Sequence, residues 1–347
     1  MQARGAGVVM QPDVEWLLRA HDTDPASLSV ALSERIYLRQ DGRAGRQGIP
    51  QRMTAWDVLY RALRVPLADV CYRQDSRLMS IEKSDAGVRV AFADGHQSDG
   101  DFVVGADGVH SACRDILAGT IPVTYAGYVA WRGLEDEATF PEDLVTALSD
   151  RFTLFVGDGM QLLCYLVPGS DGGVEAGRRR INWVWYVNTP APELGRLLRG
   201  RSGRDYGAFL PPGELTAEIT AQLRELAETA LPPLLAQVIG ASEVFMQPVL
   251  DVAPSRMLFG PAALIGDAAG TVRPHTASGT SKAFADAILL AMALDDWKSP
   301  DALPARLNQW ERQRLGDLTV LSETGMRLAA DSLLGVDDAP TPWPTSS

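Results

Sequence analysis

The sequence predicts an α/β fold that is interrupted by an antiparallel sheet. Two short apolar strands, at 101–104 and 262–265, each end in glycine and aspartate, and a helical pattern follows each of them. Between them, residues 121–249 contain aromatic segments with the composition of β-strands. Ligands bind at the carboxyl ends of parallel strands, so both Gly/Asp segments are candidate sites for a cofactor.

Composition and charge restrict the class of protein. The chain has 347 residues, of which 46% are hydrophobic and 22% charged, as is typical of a globular protein with a sizeable core. Its net charge of −12 argues against nucleic acid as a partner, because phosphate binding needs a basic surface. The 3 cysteines form no CxxC pair, so we expect no metal site and favour a reducing cytoplasm. We find no apolar stretch near the roughly 20 residues of a membrane helix, so no membrane association is expected.

The order of the predicted elements divides the chain into domains. Helices and strands alternate before and after the aromatic segment, whereas the segment itself is dominated by strands. This order predicts a discontinuous cofactor domain at 1–120 and 250–335, with a substrate domain inserted at 121–249. A proline-rich tail at 336–347 is expected to be disordered.

The first candidate constellation surrounds Gly266 and Asp267. A carboxylate at a strand end can accept hydrogen bonds from a sugar-like hydroxyl group. A helix is predicted to begin near Gly279 and Thr280, where free backbone N–H groups and the helix dipole favour an anion. The alternative interpretation is a capped turn without a ligand.

The second constellation is Asp107-Gly108, which follows the other predicted strand. Glycine allows a tight turn and a close approach of the backbone to a ligand. Ser111 is positioned to cap the next helix. Taken alone, the segment is equally consistent with an ordinary strand-to-helix turn.

The loop between Asp267 and Gly279 contains Pro274 and His275. Proline stiffens the backbone beside the predicted site. A histidine near its natural pKa can act as a general base. The alternative is a loop histidine that packs against a neighbouring side chain.

Two arginines, Arg4 and Arg52, are candidates for pairing with phosphate groups. Arginine is common on protein surfaces, so a surface role is favoured for each one taken alone. The sequence Gly5-Ala6-Gly7 is not a dinucleotide fingerprint, because no strand precedes it and a third glycine is missing.

The two Gly/Asp segments resemble the motifs of a known enzyme family. DFVVGADGVHSACR, which ends at Arg114, and LIGDAA, which contains Asp267, resemble the DG and GD motifs of single-component FAD-dependent aromatic hydroxylases, with para-hydroxybenzoate hydroxylase as the type member. The segments at 125–133 and 266–287 are most similar to the 2,6-dihydroxypyridine hydroxylase branch. The resemblance extends from about residue 4 to about residue 325.

This resemblance implies a FAD-dependent monooxygenase that uses NADH or NADPH and oxygen to hydroxylate an electron-rich aromatic or N-heteroaromatic ring. A small aromatic substrate is therefore expected, and a homodimer is compatible with the resemblance. The implied cofactor-binding residues are Arg4, Arg52, Asp107, Gly108, Gly266, Asp267, Gly279 and Thr280. Asp267 would hold the ribityl chain, and the amides of Gly279 and Thr280 would stabilise the negative charge of the reduced flavin.

The resemblance also implies residues near the substrate. Pro274 would line the flavin near the reacting ring, and His275 would orient the substrate hydroxyl or take its proton. The substrate pocket would be lined by aromatic residues of the insert, namely Tyr125, Tyr128, Trp131, Trp183, Trp185 and Tyr186. The alternative for most of these aromatic residues is a place in the core of the sheet.

The sequence departs from the family pattern at its start. Family members open with a βαβ unit that carries GxGxxG, and this unit is missing here, so we expect an N-terminally truncated Rossmann-like domain. We predict that the 347-residue chain binds FAD poorly. A FAD-deficient remnant that binds a ligand or a partner chain without catalysis is the alternative function. A flavin enzyme of another reaction type is compatible with the fold but not favoured by the hydroxylase-like segments.

Overall fold

The computed structural model describes residues 7–39, 43–84, 87–295, 297 and 305–344. The first part of the chain contains β1 (Gly7–Val9), α1 (Pro12–Ala20), β2 (Val30–Leu32), β3 (Glu34–Arg39), β4 (Ala44–Gln47), β5 (Gln51–Ala55), α2 (Trp56–Arg64), β6 (Leu78–Ser84), β7 (Gly87–Phe92), β8 (Gln97–Gly100), β9 (Val103–Gly105) and α3 (Ala112–Ala118). It continues with β10 (Thr124–Asp136), α4 (Glu142–Leu148), β11 (Arg151–Gly157), β12 (Met160–Val167), β13 (Arg180–Asn188) and α5 (Leu194–Leu197). The remaining elements are α6 (Ala217–Ala230), α7 (Pro233–Gly240), β14 (Phe245–Asp251), β15 (Ala262–Leu264), α8 (Gly266–Ala269), α9 (Gly279–Leu294) and α10 (Ala305–Ala330).

The largest sheet in the described part of the chain has seven strands in the order β14-β10-β13-β12-β11-β3-β4. Its neighbouring strands are antiparallel except for the parallel pair β3 and β11. Helices α4, α6 and α7 cover one face, where Val129 and Trp131 of β10 join the main hydrophobic core. Tyr128 and Ala130 belong to a separate cluster on the other face. Successive residues of a strand point to opposite faces, so Tyr128 and Trp131 lie on opposite sides of this sheet.

The cofactor half is built around the parallel pair β9 and β15, in which Gly105 lies opposite Leu264. A three-stranded sheet, β1-β5-β2, and an antiparallel meander, β6-β7-β8, stand beside this pair. Leu264 packs with Leu290 of α9 and Trp310 of α10 in a second core. The predicted α/β architecture with an antiparallel insert is therefore confirmed.

The predicted limits of the inserted domain differ from the structure. Strands β3 and β4 lie within the range assigned to the cofactor domain, yet β3 pairs with β11 and β4 pairs with β3, so both extend the large sheet. Glu34–Arg39 reaches the sheet because it runs parallel to β11, a long-range pairing that local sequence patterns do not reveal.

The expectation of a disordered tail is wrong for residues 336–344. Trp343 is only 1% exposed, and its ring centroid lies 4.8 Å from that of Trp131. The side-chain amide of Asn188 donates to the carbonyl oxygens of Leu333 and Pro340, at 2.8 and 2.9 Å. The buried indole fixes this proline-rich segment on the sheet, which composition alone does not indicate.

No helix in the described part of the chain is both long and apolar enough to cross a membrane. The same residues contain no group of three or more His, Cys, Asp or Glu side chains that could hold a metal ion. Cys71, Cys113 and Cys164 are free thiols.

Candidate active site

The turn after β15 presents the carboxylate of Asp267. Gly266 has a φ of +58°, a left-handed conformation that favours glycine and lets the chain turn sharply from the strand into α8. The Asp267 side chain is exposed, yet the surrounding protein desolvates it and raises its pKa, while Lys282 opposes this effect and Asp286 adds to it. An accessible carboxylate that is closely surrounded by protein is suited to hydroxyl groups of a ligand.

A buried ionic network is hydrogen-bonded to the backbone of this turn. The Lys282 ammonium donates to the carbonyl oxygens of Gly266 and Gly270, at 2.6 and 3.0 Å, and forms an ion pair with Asp286 at 3.0 Å. Asp286 also accepts from the Gly266 N–H at 2.9 Å and from Arg314 Nε at 2.6 Å. The sequence interpretation missed this network. Its signal is a Lys and an Asp spaced i, i+4 on an otherwise apolar helix.

Helix α9 begins at Gly279, next to the turn. Ser278 makes no side-chain hydrogen bond that caps the helix. A Cβ atom added at Gly279 would meet only Val272, at 4.0 Å, so this position of the first turn is not crowded. The first N–H groups of a helix lack intrahelical partners and carry the positive end of the dipole. An exposed carboxylate beside such a helix end fits the polyhydroxyl chain and the anionic ring of a flavin.

The turn after β9 is fixed by Asp107. Its carboxylate accepts hydrogen bonds from the Ser111 hydroxyl and from the Cys113 N–H, the latter at 3.0 Å. Ser111 in turn accepts from the Arg114 N–H at 2.8 Å and caps α3 as predicted. Burial raises the pKa of Asp107, but these hydrogen bonds outweigh it and leave the pKa below its usual value. Gly108 has a φ of +83°, so its backbone conformation requires glycine.

A buried arginine joins the two turns. Arg114 is 1% exposed, and its guanidinium donates to the carbonyl oxygens of Ala268, at 3.2 Å, and Val109, at 2.7 Å. Because β9 and β15 are parallel neighbours, both turns lie at the same edge of the sheet. The two predicted segments are therefore brought together in the fold.

His275 lies in a short 3-10 turn, Pro274–Thr276, over the large sheet. Its Nδ1 is 2.6 Å from Gln161 Oε1, and its Nε2 is 2.9 Å from the Tyr128 hydroxyl. An amide oxygen can only accept, so Nδ1 carries the proton and Nε2 accepts from Tyr128. Burial, and then the charge of Arg273, lower the pKa of His275 to about 3. This imidazole is therefore neutral at ordinary pH, and both of its nitrogens are engaged.

Aromatic and charged side chains surround His275. The Tyr186 ring centroid lies 4.8 Å from that of His275. Arg273 forms an ion pair with Asp251 at 2.8 Å and lies over the Tyr128 ring, 5.8 Å from its centroid. We call this side of the seven-stranded sheet the His face and the opposite side, which contains Trp131, the Trp face.

Two of the six predicted pocket residues, Tyr128 and Tyr186, contact His275, whereas Trp183 is only 1% exposed in the core of the Trp face. Tyr128 lies on the His face, whereas Trp131 and Trp185 are both 0% exposed within the core of the Trp face. Tyr125 packs against that same core, and its hydroxyl donates to the Thr189 carbonyl oxygen at 2.9 Å. The prediction of a pocket role is therefore wrong for Trp131 and Trp185, which alternate with the residues that point towards His275. Gln161 was not predicted.

The structure describes only one of the two candidate arginines, Arg52. Arg4 lies outside the described residues. Arg52 is part of β5, where its Nη1 donates to Ser29 at 3.4 Å and its carbonyl oxygen accepts from the Met10 N–H at 2.9 Å. These hydrogen bonds belong to the three-stranded sheet rather than to either turn.

Known proteins match most of the chain. A family model described as "FAD binding domain-like" matches residues 125–251. The chain is 32% identical to 2,6-dihydroxypyridine 3-monooxygenase of Paenarthrobacter nicotinovorans over 90% of this chain and 77% of the relative. It is also 32% identical to FAD-dependent urate hydroxylase of Klebsiella oxytoca, over 69% of this chain and 54% of that relative.

Solved structures agree with these relatives. The 2,6-dihydroxypyridine-3-hydroxylase from Arthrobacter nicotinovorans superposes with a TM-score of 0.89 and 28% identity, and the match covers 100% of this chain and 90% of the other. The chain therefore belongs to the FAD-dependent aromatic hydroxylases, which are flavoprotein monooxygenases. FAD is the cofactor of this family, and its relatives act on aromatic and heteroaromatic rings. None of these comparisons favours the alternative of a non-catalytic remnant.

Proposed function

We propose that this chain hydroxylates an electron-rich, hydroxylated N-heteroaromatic or aromatic ring that binds on the His face, with FAD at the Asp267 turn and NADH or NADPH as the reductant. The single observation that supports this most is the position of His275. It lies on the same loop as the turn that carries Asp267 and on the face of the sheet that bears Tyr128 and Tyr186. A cytoplasmic location and a homodimer stay predictions.

Residues of the GD turn and of α9 would hold the cofactor. Asp267 would accept hydrogen bonds from the ribityl hydroxyls, and the Gly279 and Thr280 amides would stabilise negative charge on the reduced ring. Asp107 and Arg114 would act mainly by shaping the neighbouring turn, since both Asp107 oxygens are already hydrogen-bonded. When bound, FAD supplies the oxygen-activating chemistry.

His275 would orient the substrate rather than remove its proton. A neutral imidazole whose pKa is about 3 is a weak base, but its fixed tautomer gives it a defined donor and a defined acceptor. A substrate hydroxyl would replace Tyr128 or Gln161 as a partner of the ring. Apolar neighbours on the His face, including Leu163 and Val184, would limit the access of water to the reacting ring.

The proposal is tested by turnover in the presence of excess FAD, with flavin occupancy followed by absorbance. We expect substrate-dependent NADH or NADPH oxidation with 2,6-dihydroxypyridine and incorporation of one atom from labelled oxygen into the product. His275→Asn is expected to lower kcat by roughly 100-fold, because orientation of a reacting group contributes on this order. His110→Asn, a change at an exposed histidine, is the matched control.

Two results would contradict the proposal. One is a flavin-loaded protein that oxidises neither NADH nor NADPH faster when an aromatic ring is present. The other is a His275→Asn variant with unchanged turnover. The predicted weak binding of FAD by this chain stays a prediction, and the occupancy measurement separates weak loading from a lack of activity.

A further inference from the structure

Helix α10 ends in a turn that lies on the His face, and we call residues 333–335 the C-terminal turn. The Leu333 N–H donates to the Ala330 carbonyl oxygen at 2.9 Å. The Leu334 N–H donates to the Ala329 carbonyl oxygen at 3.0 Å, which completes the Schellman pattern of a helix C-terminus. Leu333 has a φ of +53°, a left-handed conformation that this pattern usually gives to glycine. Because the conformation is unfavourable for leucine, other contacts must hold the turn in place.

One side chain of the large sheet supplies these contacts. Asn188 is the last residue of β13 and is 5% exposed. Its Nδ2 donates to the Leu333 carbonyl oxygen at 2.8 Å, and its Oδ1 accepts from the Gly335 N–H at 2.9 Å. The two ends of one amide therefore bind the backbone on both sides of Leu334. As a result, the sheet as well as the helix fixes the direction of the Leu334 side chain.

The C-terminal turn lies against the residues that surround His275. A Cβ atom added at Gly335 would be 3.3 Å from Tyr128 Cδ1 and 3.3 Å from Arg273 Nη1. The Tyr128 hydroxyl is the donor to His275 Nε2. Leu334 is 0% exposed and belongs to the same buried cluster as Tyr128. The turn thus places one buried apolar side chain among the residues of the His face.

We propose that Leu334 is a specificity-determining residue, which closes one end of the substrate site and limits the size of the ring that binds beside His275. This inference rests on the proposed function and specifies the size of its substrate. A closely packed interior does not yield to added volume without strain, so a fixed leucine at this position would exclude a second, fused ring. Asn188 is then a positioning residue, because it acts on the substrate only through the C-terminal turn.

Ligand binding by the full chain with excess FAD and no reductant, measured by calorimetry, tests this. The probes are 2,6-dihydroxypyridine and 1,3-dihydroxyisoquinoline, which is the same ring with a benzene ring fused to it. We expect the wild type to prefer the single ring. Leu334→Ala should strengthen binding of the fused ring by roughly tenfold or more, since a misfit of one methylene group already costs this much, and should change binding of the single ring by about twofold at most. Leu334→Met conserves the volume and should keep the wild-type preference.

Two further variants separate recognition from stability. Leu148→Ala is the matched control, because it removes the same atoms from a leucine that is also 0% exposed but lies in the core of the Trp face. It should destabilise the chain and leave the ring preference unchanged. Asn188→Ala keeps Leu334 but removes both hydrogen bonds to the C-terminal turn, so it should relax the preference in the same direction as Leu334→Ala. This second variant keeps the test decisive if Leu334→Ala does not fold.

The outcomes distinguish this inference from the proposed function. An unchanged ring preference in Leu334→Ala or Asn188→Ala, or an equal change in Leu148→Ala, would overturn the inference even if the wild type hydroxylated 2,6-dihydroxypyridine. A relaxed preference confined to Leu334→Ala and Asn188→Ala would support the inference, and the absence of turnover in the same proteins would contradict only the proposed function. A wild type that binds neither ring would contradict both.

Discussion

The two faces of the seven-stranded sheet use the same strands for different purposes. On the Trp face, Trp131, Trp183 and Trp185 are at most 1% exposed, and Trp343 packs against Trp131. On the His face, alternate residues of the same sheet place the Tyr128 hydroxyl and the Gln161 amide next to His275. If the substrate binds on the His face as proposed, substitutions on the Trp face should mainly change stability and substitutions on the His face should mainly change recognition.

The largest expected effect is on stability and comes from the Trp face. Trp343→Ala removes a buried indole and should lower the free energy of unfolding by about 3–5 kcal/mol, as large-to-small core substitutions do. Urea denaturation measures this, with Trp16→Ala as the control because Trp16 is 50% exposed. At temperatures where the variant is still folded, binding of 2,6-dihydroxypyridine should be unchanged. A stability loss no larger than that of Trp16→Ala would contradict the assigned role of the C-terminal segment.

A smaller effect on stability is expected from the His face and depends on pH. The pKa of His275 is lowered to about 3 in the folded chain, so between about pH 6.5 and pH 3 the unfolded state binds a proton that the folded state does not. Stability should therefore fall as the pH falls through this window, by on the order of 2 kcal/mol at pH 5. His275→Asn should flatten this part of the curve, and His110→Asn should not. A curve that is equally steep in all three proteins would show that His275 titrates normally.

The smallest expected effect on stability comes from removing either of two phenol hydroxyls that lie on opposite faces of the sheet. Tyr128→Phe and Tyr125→Phe each remove one hydrogen bond and should each cost about 1 kcal/mol of stability. Only Tyr128→Phe removes the donor to His275 Nε2, so only this variant should change the nitrogen NMR shifts that report the tautomer. Identical imidazole spectra in the two variants would show that the Tyr128 hydroxyl does not position His275.

Much of the cofactor half could be predicted from the sequence because its signals are local. A short apolar strand followed by glycine and aspartate specifies the turn at Asp107 and the turn at Asp267. The structure confirms that both turns lie at one edge of a parallel pair. The capping role of Ser111 was predictable for the same reason, since the serine is only three residues from the amide that it caps.

The substrate half could be predicted less completely because its geometry depends on strand pairing. Alternation along β10 separates Tyr128 from Trp131, but which of the two points towards His275 is decided by the packing of a loop 147 residues away. Gln161 reaches His275 only through the register of β12 against β13, which places it opposite Tyr186. The low pKa of His275 likewise depends on burial and on Arg273, which the sequence places nearby without showing the contact.

The most direct test of the whole account is a crystal structure of the chain soaked with FAD and 2,6-dihydroxypyridine. We predict ring density on the His face, with one oxygen of the ring next to His275. Flavin density should lie against Asp267 and the start of α9. Ring density on the Trp face, or only in the groove between α6 and α7 that contains Arg201 and Arg224, would contradict the account.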